Sequence, residues 1–203
     1  MGSFLARTCL LLGSALVTAI TAGGCLVDNT CPSGSQTCVD DNAVGDGRVS
    51  LVCADALFSG VSVVRSLGTA AACRYTPDEG LLVRVGTDGC DNLSVLLRTF
   101  DGEGRYRGDG TEAGPVQVVA TMAVPDTGCQ DIYRIQSFPN AACPVAPDAC
   151  TVQVTGDFSP TRSGSLAMEI SCGQLIYNHN PDGCGVCTAE ELTVNIDGCT
   201  VDE

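Results

Sequence analysis

Thr151-Val152-Gln153-Val154-Thr155 alternates polar and apolar side chains with a period of two, and Leu192-Thr193-Val194-Asn195-Ile196 does the same further on. That period puts the apolar residues of each run on one face of an extended strand, with the polar ones turned outward. Both runs read as half-buried strands. Other short β-like runs are Val49–Cys53, Leu81–Val85, Leu93–Thr99, Val116–Ala123, Ile132–Ser137, Cys150–Thr155 and Ser165–Ser171. Leu93–Leu97 is almost wholly apolar and suits a central strand. Between the runs stand turn formers: Pro77-Asp78-Glu79-Gly80, Asp101-Gly102-Glu103-Gly104, Asp126-Thr127-Gly128, Ser159-Pro160 and Asn180-Pro181-Asp182-Gly183. Many short strands punctuated by Gly, Asp and Pro predict an all-β fold, an antiparallel β-sandwich over 49–203. Ala54 to Ala72 reads two ways, its alanines favouring a short helix and Val61-Ser62-Val63-Val64 a strand.

The N-terminus has the build of an export signal. Arg7 supplies the positive start, Cys9 to Ile20 a mainly apolar core, and Thr21 to Gly24 a small-residue exit. The core is shorter than the roughly 20 apolar residues of a membrane span. Ala22-Gly23-Gly24-Cys25 resembles the lipobox of a bacterial lipoprotein, with Ala22 where such motifs most often carry Leu. The resemblance implies cleavage before Cys25 and acyl chains on it, an anchor firmer than one myristoyl group. Leu26 at the next position leans towards the outer membrane. The alternative is cleavage after Ala22, giving a soluble secreted binding module with thirteen cysteines and an odd thiol.

Of fourteen cysteines, setting aside Cys9 and Cys25 leaves Cys31, Cys38, Cys53, Cys73, Cys90, Cys129, Cys143, Cys150, Cys172, Cys184, Cys187 and Cys199. An even dozen can pair into six structural disulfides, with connectivity open. Such usage fits an oxidising compartment and argues against the cytosol. Residues 1–24 are thus expected to be a signal peptide, 25–48 the lipidated cysteine and a polar tether, and 49–203 the domain. After residue 24 the chain has 24 acidic residues against 9 arginines, a formal charge near −15, with no lysine. That charge repels phosphate backbones, so nucleic acid is not an expected partner.

Leu93–Phe100, then Asp101-Gly102-Glu103-Gly104-Arg105-Tyr106, looks like a strand, a Gly-x-Gly-x-Tyr turn and a new strand. Cys150–Thr155 followed by Gly164–Cys172 looks like a hairpin ending in cysteine, and Glu191–Val201 like a closing strand. Over roughly 81–203 this pattern resembles uncharacterised exported β-sandwich lipoproteins of Gram-negative bacteria, especially cysteine-rich ones of myxobacteria. The resemblance implies a fold and an envelope location, and no activity.

Catalytic and metal chemistry find little footing. Cys184-Gly185-Val186-Cys187 has redox spacing but no strand-to-helix context, and reads as structural disulfide. Zinc would have Cys184, Cys187 and His179 at most, one ligand short of a closed site. His179, the single imidazole, sits in Asn178-His179-Asn180 beside a turn, and Gly164-Ser165-Leu166 lacks the nucleophile-elbow spacing. Paired carboxylates of an envelope hydrolase carry no sequence signature. Asp40-Asp41-Asn42-Ala43-Val44-Gly45-Asp46 matches three offsets of a calcium loop, but Val44 takes a ligand position and Leu51 replaces the closing Glu. Asp101-Gly102-Glu103 could add loop carboxylates. No catalytic residue, metal or cofactor is therefore assigned. The expectation is a non-catalytic, lipid-anchored envelope protein displaying a binding or structural domain. Its partners would be the membrane, through the anchor, and a surface protein or glycan.

Overall fold

A computed structural model describes residues 43–53, 62–86, 91–123, 132–139, 143, 147–179 and 183–202. The leader, Cys25, the tether up to residue 42, Cys31, Cys38, Cys90 and Cys129 lie outside the described residues, as do the side chains of Asn178, His179 and Cys184.

The described chain is all-β. Twelve strands follow one another: β1 (Ala43–Cys53), β2 (Ser62–Leu67), β3 (Ala70–Thr76), β4 (Gly80–Gly86), β5 (Asn92–Leu97), β6 (Gly104–Arg107), β7 (Val116–Ala123), β8 (Ile132–Gln136), β9 (Thr151–Gly156), β10 (Gly164–Ser171), β11 (Leu175–His179) and β12 (Gly183–Val201). Hydrogen bonding joins them in the order β2-β1-β3-β4-β5-β7-β8-β11-β12-β10-β9-β6, with β12 also bonded to β1 and β3. These extra pairings fold the sheet back on itself. One layer runs β6-β9-β10-β12-β1-β2 and the other β3-β4-β5-β7-β8-β11. The pairings are antiparallel except a short parallel join, Thr200 and Val201 beside Arg74 and Tyr75.

Both inner faces feed one core. Val49 and Leu51 of β1, Val152 and Val154 of β9, and Val194 of β12 meet Leu81, Val83 and Val85 of β4, Val95 of β5 and Val118 of β7, all fully buried. The alternation in 151–155 and 192–196 survives as alternating burial. Leu93–Leu97 does lie centrally, between β4 and β7, yet Ser94 and Leu96 turn to the outer face and stay half-buried. Four of the scarce aromatics gather in one cluster. Phe100 lies 5.7 Å from Phe158, 5.8 Å from Tyr106 and 6.0 Å from Tyr75 between ring centres, so the cluster ties the two layers.

Local chemistry sets the turns. Gly80 closes Pro77-Asp78-Glu79-Gly80 at φ 88°. A Cβ there would sit 2.2 Å from the Leu97 carbonyl oxygen, so only glycine lets β4 begin against β5.

The strand boundaries depart from the sequence reading in three places. β1 begins at Ala43, so residues 43–48, assigned to the tether, belong to the sheet. Their partners on β12 run from Asp197, opposite Val44, to Thr193, opposite Arg48. The doubtful segment resolves to strand from Ser62 onward, and 54–61 lie outside the described residues. The closing strand is far longer than 192–196, because β11 and then β10 flank one of its edges and β1 the other.

Candidate functional site

The cysteines come first, because they decide what sulfur chemistry the domain can do. Cys53 pairs with Cys187, Cys73 with Cys199 and Cys150 with Cys172, at sequence separations of 134, 126 and 22. Cys143 is also disulfide-bonded. The first two bridges tie β1 and β3 to β12. The third closes the β9–β10 hairpin at its base, where register pairs Thr151 with Ser171. In the chain-entropy description such loops contribute about 3–5 kcal/mol each, with native strain subtracting.

This pairing bears directly on Cys184-Gly185-Val186-Cys187. Cys187 stands mid-strand, opposite Cys53 in register, and is fully buried in its bridge. Bridged in this way, it offers no thiolate. Gly185 has its own structural reason. It lies opposite Tyr177 of β11, and a Cβ on it would meet the Tyr177 ring at 2.1 Å. The buried tyrosine lies over the bare glycine backbone and crosses Tyr133 edge-on at 6.1 Å.

The acidic loops are engaged in turn chemistry. The Tyr106 hydroxyl lies 2.6 Å from Asp101 Oδ1 and 2.6 Å from the Gly102 carbonyl oxygen, and accepts the Asp101 N–H at 3.2 Å. Burial, then the bond to Asp101, pushes the Tyr106 hydroxyl up to about 12. The Gly-x-Gly-x-Tyr step is thus a turn locked by its own tyrosine. In the calcium-like run, Asp46 stands on β1 and its Oδ1 accepts from Asn195 Nδ2 at 3.0 Å. Residues from Ala43 onward are strand, which replaces the loop such a site needs. Ser165, weighed for an elbow, donates its N–H to Asp157 Oδ1 at 2.8 Å from within β10. His179 ends β11 opposite Gly183.

The outer face of the first layer carries a shallow groove of about 530 Å³ along β9, β10 and β12. Gln153 and Glu169 line it, with Thr193, Glu190 and Glu191 on β12 and Arg105 on β6. A bulge makes it acidic: Ser50 opposes Glu191 and Leu51 opposes Ala189, so Glu190 is the extra residue. Two successive carboxylates therefore reach solvent on one side. Ser50 Oγ donates to Glu190 Oε2 at 3.0 Å, and Arg48 Nε meets Glu191 Oε2 at 2.9 Å. The groove is a hydrogen-bonding surface in which Glu190 and Glu191 each have a partner on β1, and no aromatic ring is among its described lining residues. Among the described residues no three His, Cys, Asp or Glu side chains gather as a metal site. Sequence reasoning missed this groove, since only the β10–β12 and β9–β10 registers bring its residues together.

No protein-family model matches this chain, and no curated protein and no solved structure matches it. Fold and site define a disulfide-stapled all-β domain, and bridges of this number accord with an exported protein folded in an oxidising compartment.

Proposed function

We propose that this chain is a non-catalytic display protein of the bacterial cell envelope, held by lipid on Cys25 and presenting the β domain as a binding surface. The observation that carries the reading is the pair of buried bridges, Cys53–Cys187 and Cys73–Cys199, which fasten the first and third strands to the last. A sheet closed on itself and stapled at its closing strand suits long exposure to proteases, and its formation needs an oxidising compartment. Residues 26–42 then space β1 from the anchor, and Leu26 favours the outer membrane. The likeness to cysteine-rich myxobacterial lipoproteins points the same way. The paired charges of Glu190 and Glu191 favour contact over catalysis.

Intact-mass and N-terminal peptide mass spectrometry on protein from its native membrane, before and after reduction and alkylation, tests the reading. The expected result is an acylated Cys25 and no free thiol among the other twelve cysteines. An unmodified N-terminus beginning ahead of Cys25 overturns the anchor and leaves the soluble secreted form.

A further inference from the structure

Arg107-Gly108-Asp109 stands where β6 passes into its connection to β7. β6 ends its layer, paired with β9 along one side, so the tripeptide lies at a border of the domain. Arg107 and Asp109 are exposed, and Gly108 between them is buried. Three residues in sequence say little; how the fold holds them says more.

Both ends of the connection, residues 108–115, are fastened. Gly108 donates its N–H to the Cys150 carbonyl at 2.8 Å, and Cys150 is itself bridged to Cys172. A Cβ on Gly108 would sit 3.3 Å from Val116 Cβ and 3.4 Å from that same carbonyl oxygen, so glycine suits the close approach. At the far end the Pro115 carbonyl accepts the Arg98 N–H at 2.9 Å. Within the loop the Gly114 N–H donates to the Thr111 carbonyl at 3.1 Å, and the Gln117 amide donates to the Glu112 carbonyl. A loop bonded in this way has little freedom left to lose on binding, which favours affinity.

The two charges it presents are left available. Arg107 makes no ion pair among the described residues, neither with Asp109 nor with any other acid. Its concavity is lined by Arg105, Ala149 and Thr151, none of them acidic. Asp109 accepts the Thr111 N–H at 2.9 Å and the Thr111 hydroxyl at 2.8 Å, both on Oδ1. The N–H first, then the hydroxyl, hold this carboxyl below the usual carboxylate range, so it is charged at neutral pH. Oδ2 takes part in neither bond. The carboxylate is thus aimed through one oxygen and offered through the other.

We infer that Arg107-Gly108-Asp109 is an adhesion motif, read by a partner protein of the integrin type, which holds a divalent cation with an open position beside an acidic pocket. Oδ2 of Asp109 fills the open position, as hard cations take carboxylate oxygen. The planar fork of Arg107 meets the acidic pocket through paired bonds. The two Cα atoms are at most about 7 Å apart, so one receptor surface meets both side chains. The formal charge of −14 opposes an acidic receptor at long range, but salt confines that field to about 8 Å and leaves the local pair of charges to decide. The inference deepens the binding half of the proposed function and does not need the lipid.

Biolayer interferometry of the immobilised protein against a panel of purified integrin ectodomains that bind Arg-Gly-Asp peptides, in manganese or in EDTA, tests it. At least one ectodomain is expected to bind in manganese, and to be released by EDTA and by a cyclic Arg-Gly-Asp peptide. Asp109→Glu keeps the charge and moves the carboxylate by one methylene; it should lose tenfold or more in affinity, as should Arg107→Ala. Arg105→Ala, in the same concavity but outside the tripeptide, should leave binding unchanged. Unfolding midpoints check that the variants fold, and competition by the peptide reads the site on the unaltered protein. Absence of binding across the panel, binding that survives EDTA or the peptide, or an equal loss in Arg105→Ala overturns the inference. An acylated Cys25 without integrin binding would keep the anchored display protein and remove this partner, so the two readings fail separately.

Discussion

Tyr106 reaches back to the turn before its own strand and places its hydroxyl 2.6 Å from Asp101 Oδ1. One hydroxyl proton serves that carboxylate or the Gly102 carbonyl, while the oxygen accepts the Asp101 N–H. Tyr106→Phe keeps the ring against Phe100 and deletes all three contacts. A bond to a charged acceptor within a part-buried turn is worth about 1–3 kcal/mol, and the denaturation midpoint should fall accordingly.

The same hydroxyl predicts an alkaline signature. Its ionisation is raised above the usual tyrosine value of about 10, to about 12, so the protein favours the neutral form. A raised folded-state value contributes stability below about pH 10, lost as pH climbs through about 12. In a spectrophotometric titration Tyr106 should ionise near pH 12, and Tyr106→Phe should remove that step. A wild-type titration in which every tyrosine ionises near 10 would refute the lock.

Gly185 is a packing requirement. Its Cβ would land 2.1 Å from the Tyr177 ring, and that ring is fully buried and cannot swing into solvent. Gly185→Ala should destabilise by about 1–3 kcal/mol, the usual range for overpacking, measured as a lower urea midpoint with unchanged slope. Adding Tyr177→Phe should not restore it, because the clash also involves ring carbons.

The bridges differ in what they restrain. Replacing Cys53 and Cys187 together with Ala releases a separation of 134 residues, against 22 for Cys150 and Cys172. Loop-closure entropy predicts a larger loss for the first pair, about 4–5 against about 3 kcal/mol in the limit of no native strain. Paired denaturation curves would show it. A reversed order would mean that hairpin packing, rather than loop length, governs the bridge between β9 and β10.

Legibility tracked locality. β7 appears at Val116–Ala123 as read, because its alternation is set by its own side chains. β11 and the first half of β12 were not legible. Gly183–Ala189 carries small residues without alternation, and becomes strand because β1 and β11 bond to both its edges and Cys187 is bridged. Ala43–Arg48 likewise reads as polar loop until β12 pairs with it. Disulfide partners so far apart in the chain leave no trace in spacing.

Asp157 organises the β9–β10 connection and gives an acid-side prediction of opposite sign to Tyr106. Its Oδ1 accepts the Ser165 N–H at 2.8 Å and the Ser165 hydroxyl at 3.2 Å, while Oδ2 meets Arg162 Nη2. The Ser165 N–H first, then Arg162 and the Ser165 hydroxyl, hold the carboxyl below the usual carboxylate range. A lowered folded-state value contributes stability above about pH 4, lost as pH falls through the folded value. Asp157→Asn should therefore lower the thermal midpoint at neutral pH, and its difference from the parent should shrink as the solution is acidified. Arg162→Ala should lower it less, since the backbone N–H is the larger influence, and added salt should erase only the Arg162 part. A deficit in Asp157→Asn that is constant from neutral to strongly acidic pH would show that shape, not charge, holds this turn.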